Sequence, residues 1–573
     1  MTDLSEQGAN EVRIITVDFE TYYDKAFSLS KMTTEEYIRD ELFEVIGVAV
    51  KVDDGETQWF SGTRKNTSEW LDQFPWGGAL AVAHNAMFDM AILNWHFDIR
   101  PKMIADTLSM ARAIDGPDAG NSLAKLAERH GLGVKGNEVV NALNKGRLDF
   151  SPEELARYGE YCINDVELTY ELFKKLAVGF PPQEAKLIDL TMRMFTEPVL
   201  KLDKSMLTAH LYAVREKKEK LLAAARATGR KDVLMSNPQL AALLTRFGVE
   251  PPTKISPTTG NETWAFGKND EGFKALLDHS HPAVQAIVAA RLGVKSTLEE
   301  TRTERLINIS ERGLLPVPLR YYAAHTGRFG GDDKINMQNI PRGSALKKAI
   351  VAPIGYVVID CDSSQIEART LAWMAEQDDL VEAFAKGEDV YKIMASAIYG
   401  KPVEEITKDE RFVGKTTILG SGYGMGALKF QAQLKTFGVD MDEDECDRII
   451  EVYRDTYPRI AAVWTQGDAV LDALRTNYTA PLGRDGVLLV DATGVRMPNG
   501  LYLRYPNLRK ERDPRTGRMR TVYDTKRGKT TIAKPIWGGG LTENWCQGLA
   551  RIIVADQMLM IARRYKVAMT VHD

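Results

Sequence analysis

The chain has 573 residues, 44% of them hydrophobic and 27% charged, with a formal net charge of −5. That is the composition of a water-soluble globular protein of about three or four domains; no run of ~18 apolar residues offers a bilayer span, and the start MTDLSEQGANEVR lacks the basic and apolar regions of a signal peptide. A cytoplasmic location is expected, and four cysteines without a C-x-x-C pair (Cys162, Cys361, Cys446, Cys546) are expected to be reduced and half buried, implying neither a disulfide nor a structural metal.

The net charge argues weakly against nucleic-acid binding over the whole surface, but basic clusters occur at 215–231, 341–348 and 509–529. Each alone fits a solvated helix face or a loop equally well.

In chain order, residues 12 to 52 read as apolar strands separated by turns, and LAVAHNAMFDMAILNWHF passes from strand into helix, the alternation of an α/β domain. In SPEELARYGEYCINDVELTYELFKKLA, Ser151 as N-cap, Pro152 at the first helical position and Glu154 three residues after the cap predict a capped helix. VGFPPQE (178–184) reads as a domain boundary. From 184 to 312 the periodicity is mostly helical, interrupted at PPTKISPTTGNETW. Short strands follow, then YVVIDCDSS as an apolar strand. Helices are expected again from about 365 to 475, broken at LGSGYGMG. The last hundred residues read as strands, a basic insertion, a helix through ENWCQGLARIIVADQMLMIARRY and a closing strand, KVAMTVHD.

Two groups of residues point to chemistry. In TVDFET, Asp18 and Glu20 alternate on a strand and so share one face. Asp89 lies one helical turn after Asn85, and Asp165 one turn after Tyr161. Adjacent carboxylates repel unless a cation lies between them. A phosphodiester hydrolase needs such a cradle: one divalent ion to generate hydroxide, a second to stabilise the leaving oxygen, and a tyrosine hydroxyl to orient the water. D-x-E alone is a weak signal, whereas the ordered set D-x-E, N-x-x-F-D and Y-x-x-x-D resembles the DEDD-type 3′→5′ proofreading exonucleases of the tyrosine variety.

In the second group, Asp362 is expected at the end of a strand, with the Ser363 carbonyl as a further oxygen donor. Arg411, Lys415, Leu419 and Tyr423 recur at intervals of four, a broad helical face suited to a triphosphate. A basic surface helix fits that spacing as well.

Together with HTGRFGGDDKINMQNIP, DSSQIEAR, ENWCQG and VHD, these segments make the chain resemble the DNA polymerase I family (family A) in its compact phage form, over nearly its whole length. The resemblance implies a multidomain α/β and α+β protein. A ribonuclease H-like exonuclease would occupy 1–180, followed by a right-hand polymerase module: thumb 181–312, palm 313–375 with motif A, fingers 376–478 with motif B, and the second part of the palm 479–573. It implies that Asp362, Ser363 and Asp573 hold one pair of Mg2+ ions and Asp18, Glu20, Asp89 and Asp165 another, Mn2+ being able to substitute. Arg411, Lys415 and Lys347 would bind the triphosphate, Glu367 would exclude a 2′-OH, and Gln365, Leu419 and Tyr423 would line the nucleotide site. Arg328, Gln338, Asn339 and Gln547 would contact DNA, Arg328 and Gln547 through minor-groove acceptors. The partners implied are primer–template DNA and deoxynucleoside triphosphates, with a monomeric chain and no membrane.

Three departures stand out. Leu419 stands where the family usually has Phe or Tyr, and Tyr391 replaces a frequent histidine. Gly414, Gly420, Gly422 and Gly424 weaken the expected fingers helix, at ~1 kcal/mol per interior glycine, which suggests easier opening and closing. The sequence begins at the exonuclease, leaving no room for a 5′ nuclease, and ends within motif C, without its Glu and the strand that would pair with AMTV. An incomplete polymerase, needing a separate C-terminal fragment for full activity, is therefore expected in preference to a degenerate one. An exonuclease with an inactive polymerase module, or a primer–template binding module, are the alternatives.

Overall fold

A computed structural model describes residues 12–136, 142–226, 231–256, 261–268, 270–294, 297–514, 516–527 and 530–571. The chain divides into two compact units: Met1–Pro198 with Pro316–Asn339 and Ile359–Asp573, and Val199–Leu315 with Ile340–Val358.

The first unit opens with a five-stranded mixed sheet: β1 (Ile14–Thr21), β2 (Val45–Val52), β3 (Gln58–Phe60), β4 (Leu80–Ala83) and β5 (Met103–Asp106), in the order β3-β2-β1-β4-β5. β1 is central, antiparallel to β2 and parallel to β4. Apolar residues on both faces, Ile15, Val17, Val48, Val50, Ala81 and Val82, are fully buried, as a sheet covered on two sides requires. The Pro152–Ala177 helix packs on β1 and β2, and its start is the predicted capping box: Ser151 and Glu154 exchange side-chain-to-backbone hydrogen bonds, with Pro152 in the first turn.

Further along the same unit, helices Ile366–Met374, Val390–Tyr399, Lys408–Ser421, Glu443–Thr456 and Pro458–Thr476 surround a core containing Met394, Phe430, Ile449 and Tyr453. A four-stranded antiparallel sheet runs from Ala480 to Leu503. The basic insertion is a three-stranded antiparallel sheet, Arg509–Arg512, Met519–Arg527 and Thr530–Ile536, with residues 515, 528 and 529 outside the described residues. The helix predicted around ENWCQG begins earlier, at Gly538, and runs to Ala562 against the Pro458–Thr476 and Ile366–Met374 helices. No helix among the described residues is long and apolar enough to cross a membrane.

The second unit is built on the Lys204–Arg226, Pro282–Val294 and Leu298–Arg312 helices, and has a core of Leu240, Leu244, Phe273, Ile287 and Val288. The interruption predicted at PPTKISPTTGNETW is a two-stranded hairpin, Thr253–Ile255 with Glu262–Trp264.

Two expected strands do not form. Residues 356–363 and 566–571 have no ladder partners among the described residues, and Tyr356, Val357, Val358 and Ile359 are exposed. Apolar β-branched runs signal the capacity to pair, but a strand exists only where a second backbone lies beside it.

Candidate active site

β1 carries Asp18 and Glu20 two residues apart, in register with Ala49 and Gly47 of β2. Facing them, the Pro152–Ala177 helix presents Tyr158, Tyr161, Cys162 and Asp165, spaced so that all four share one helical face. The Met87–Phe97 helix adds Asp89, whose Oδ1 accepts a 3.1 Å hydrogen bond from the Phe19 backbone N–H and is thereby held against β1. Asn85, just ahead of that helix, takes a left-handed φ of 69°, and its N–H donates to Asp106.

Glu20, Asp89 and Asp165 are buried, and water is largely excluded from their carboxylates. Burial, and then the neighbouring Asp165, pushes the Asp18 pKa up to about 7. Burial followed by the charge of Asp18 pushes Glu20 and Asp89 well above the ordinary carboxylate range. Asp165 is also raised by burial, with the Lys135 ammonium acting against the shift. Lys135 forms an ion pair with Asp165 Oδ2 and sits 5.1 Å from the Tyr161 ring centroid. Tyr158 donates a 2.6 Å hydrogen bond to Glu20 Oε2. Cys162 Sγ lies 3.4 Å from Asp18 Oδ2.

Several buried carboxylates gathered without compensating cations are unfavourable, because each anion has lost its hydration and repels the others. Only Lys135 balances them directly among the described residues. Ligand atoms of Asp18, Glu20 and Cys162 lie within 4.8 Å of one another, and Asp165 Oδ1 is buried without a hydrogen-bond partner among the described residues. The residues present therefore fit a divalent cation, with oxygen donors that suit a hard ion.

The polymerase-type residues fall into smaller groups. Arg411, Lys415 and Leu419 lie on the predicted helix, with Lys415 and Leu419 both exposed one turn apart. The helix ends at Ser421, so Tyr423 lies beyond it rather than on the same helical face. Arg411 donates 2.6 Å to Asp389 Oδ2 and lies 5.2 Å from the Tyr391 ring centroid. Tyr423 donates 3.4 Å to Glu367, and Arg328 approaches the same carboxylate at 3.9 Å. Gln547 donates to Glu543 and accepts from Thr326. Gln365 precedes the Ile366–Met374 helix with a left-handed φ of 57°. Gln338 is buried and Asn339 exposed in the Met337–Asn339 turn of 3-10 helix.

Asp362 is exposed in the unpaired segment, not at a strand end, while Ser363 Oγ donates 2.6 Å to Gln557 Oε1. Lys347 belongs to the second unit, at the end of the Ala345–Lys348 helix capped by Ser344. Asp573 lies outside the described residues.

Tyr158, Cys162 and Lys135 escaped the sequence reading. Tyr158 and Cys162 had a signal, being one turn before Tyr161–Cys162 and adjacent to Tyr161. Lys135 had none, because it reaches Asp165 from a separate loop.

A model of the family described as DNA polymerase family A matches residues 205–485, and one described as 3′-5′ exonuclease matches residues 78–179. Asp18 and Glu20 precede the second match. DNA polymerase I of Pseudomonas aeruginosa is 27% identical over 454 residues, 73% of this chain and 48% of that protein, so the chain spans about half its length. The DNA polymerase of Bacillus phage SP02 is 23% identical over 628 residues, covering 98% of this chain and 93% of the phage protein. The POL domain of Pol1 from M. smegmatis, solved with DNA primer-template and dNTP, has a similar fold, with a TM-score of 0.66 at 18% identity, over 98% of this chain and 88% of that one. With an exonuclease match preceding a polymerase match, and relatives named DNA polymerase on either side of the bacterium–phage divide, the chain is similar to DNA polymerase family A over residues 205–485 and to the 3′-5′ exonuclease family over residues 78–179.

Proposed function

We propose that this chain removes nucleotides from DNA 3′ ends at the Asp18 pocket and extends primers on a template through its polymerase region. The observation that carries the reading is the convergence of Asp18, Glu20, Asp89 and Asp165, from a strand and two helices, into one buried pocket beside Tyr161. Two Mg2+ ions per active site, or Mn2+ in their place, would be held by those four residues in the exonuclease and by Asp362, the Ser363 carbonyl and Asp573 in the polymerase. Bound there, the cations supply a nucleophilic hydroxide or activated 3′-OH and stabilise the leaving oxygen.

The chain's own groups do the rest. Tyr161 orients the attacking water through its hydroxyl, which burial and the adjacent Asp165 keep protonated. Tyr158 fixes the Glu20 carboxylate by donating to Oε2. In the polymerase region, Lys415 and Arg411 bind the triphosphate. Glu367 occupies the space of a 2′-OH, held by Tyr423, while Leu419 and Gln365 border the nucleotide. Arg328 and Gln547 donate to the minor groove, and Gln338 and Asn339 contact the primer–template. The domain divisions at 180, 312, 375 and 478 belong to the same proposal, as does a cytoplasmic, monomeric state.

A 5′-labelled primer–template tests both activities. In Mg2+ without nucleotides, the chain shortens the primer and Asp18→Ala does not. With nucleotides, Asp18→Ala extends the primer and the further change Asp362→Ala abolishes extension. Failure of the unmodified chain to shorten DNA overturns the exonuclease reading. A second reading, exonuclease alone, is favoured by the exposure of Asp362 in an unpaired segment; it predicts shortening without extension.

A further inference from the structure

We propose that Cys162 is a donor in the exonuclease cation pocket, making it a mixed oxygen–sulfur site that takes thiophilic divalent cations such as Co2+, Zn2+ or Cd2+. The inference rests on the reading of Asp18, Glu20, Asp89 and Asp165 as a cation pocket, and adds to it a residue outside that carboxylate set.

Cys162 follows Tyr161 on the helix that faces β1, and its side chain is fully buried. Sγ lies 3.4 Å from Asp18 Oδ2, and Asp18, Glu20 and Cys162 each offer a ligand atom within 4.8 Å of the others. Donors around one four-coordinate ion stand ~3.5 Å apart when metal–oxygen and metal–sulfur distances are ~2.0–2.3 Å. The Sγ–Oδ2 distance matches the spacing a single ion imposes, and the Glu20 ligand atom lies within 4.8 Å of both. Asp165 supplies an independent observation. It is 3% exposed, its Oδ1 has no hydrogen-bond partner among the described residues, and its charge acts on both Asp18 and Glu20.

A buried cysteine is often a small apolar residue with a weak S–H donor. That role explains the contact with Asp18 but makes no use of the Glu20 oxygen or the unpartnered Asp165 oxygen. Carboxylates alone select hard ions such as Mg2+ and Mn2+, whereas one sulfur donor shifts preference toward softer ions. Binding breaks the S–H bond and forms a metal–sulfur bond. The proton passes to solvent, with no change in oxidation state. A thiophilic cation thus competes with Mg2+ for the pocket.

The full chain, Cys162→Ser, Cys162→Ala and Cys361→Ser are titrated with Co2+ alone, Cys361 being the exposed thiol and Cys446 and Cys546 buried elsewhere. The unmodified chain and Cys361→Ser should develop a near-ultraviolet thiolate-to-cobalt charge-transfer band. Both Cys162 variants should lack it and bind Co2+ ~10-fold or more weakly. Mn2+ affinity, read by electron paramagnetic resonance, should change by less than about threefold, which also reports an intact pocket. A band that survives loss of Cys162, or no band in the unmodified chain, overturns the assignment. If Mn2+ still binds in that case, the carboxylate pocket stands without Cys162; if Mn2+ binding is absent as well, both readings fall.

Discussion

Arg551, on the Gly538–Ala562 helix, forms a 2.5 Å ion pair with Glu184 at the start of the Pro182–Thr196 helix, and both side chains are almost wholly buried. The guanidinium lies 5.3 to 5.9 Å from the ring centroids of Tyr321, Tyr322 and Phe329, while Tyr321 and Asn499 also donate to Glu184. Four distant stretches of the first unit thus meet on one carboxylate. Arg551→Met should lower stability by ~3–5 kcal/mol, because it leaves a buried anion without its cation. Adding Glu184→Gln should recover part of that loss, and urea-unfolding midpoints of the two variants check it.

The same pair carries a pH dependence. Burial alone would raise the Glu184 pKa, but Arg551 and the other donors outweigh it and hold it below the ordinary value. A depressed folded pKa contributes stability above the unfolded value of ~4.3 and loses it as pH falls through the folded value. Glu184→Gln should therefore flatten the acid limb of the stability profile below about pH 4, and thermal melts across that window read the effect.

Gly414 has a packing role that the sequence reading missed. A Cβ there would lie 2.2 Å from the Tyr391 carbonyl oxygen and 2.9 Å from the Ala395 nitrogen, both backbone atoms of the adjacent Val390–Tyr399 helix. The glycine lets two helices approach. Gly414→Ala should cost ~1–3 kcal/mol by forcing them apart, so altered kinetics in that variant would not show a flexible fingers helix. At Gly420 an added Cβ meets the movable end of Met425, at 2.8 Å. Gly420→Ala should keep stability within about 1 kcal/mol and is the cleaner probe of helix flexibility; urea midpoints and nucleotide-incorporation rates of the two variants check this.

Local periodicity made the carboxylate pocket legible. Two-residue alternation placed Asp18 with Glu20, and helical spacing placed Asp165 with Tyr161, before any tertiary contact was known. Tyr158 and Cys162 needed knowledge of which helical face meets β1, and Lys135 needed the path of another loop. The unpaired 356–363 and 566–571 segments fail for a related reason: their apolar runs describe a strand's side chains, whereas the ladder depends on a distant backbone. The hairpin at 253–264 read only as a helical interruption, since Pro and Gly mark where a helix stops without saying what replaces it. Tyr423 fell outside the helix because a four-residue spacing does not mark where the helix ends.

Tyr158 and Tyr161 should separate in their effects. Tyr158 donates to Glu20 and so orients a candidate cation ligand. Tyr158→Phe should lower Mn2+ affinity ~10–100-fold and exonuclease activity with it. Tyr161→Phe should leave Mn2+ affinity nearly unchanged while reducing the hydrolytic rate, because the proposed role of its hydroxyl is to orient water. Calorimetric Mn2+ binding alongside single-turnover hydrolysis distinguishes the two, and primer extension by either variant should match the parent.

Asp18→Asn should abolish hydrolysis and yet stabilise the cation-free chain at neutral pH. Burial and Asp165 raise the Asp18 pKa to about 7, so the native state holds its proton where the unfolded chain, titrating near ~3.9, has lost it. A raised folded pKa gives stability that is complete below the unfolded value and lost as pH rises through the folded one. The cation-free parent should therefore melt lower at about pH 8 than at about pH 5, a decline that Asp18→Asn reduces and that Mg2+ reverses in the parent alone. Thermal melts with and without Mg2+ check the three outcomes together, and equal declines in parent and variant would remove Asp18 as the buried charge responsible.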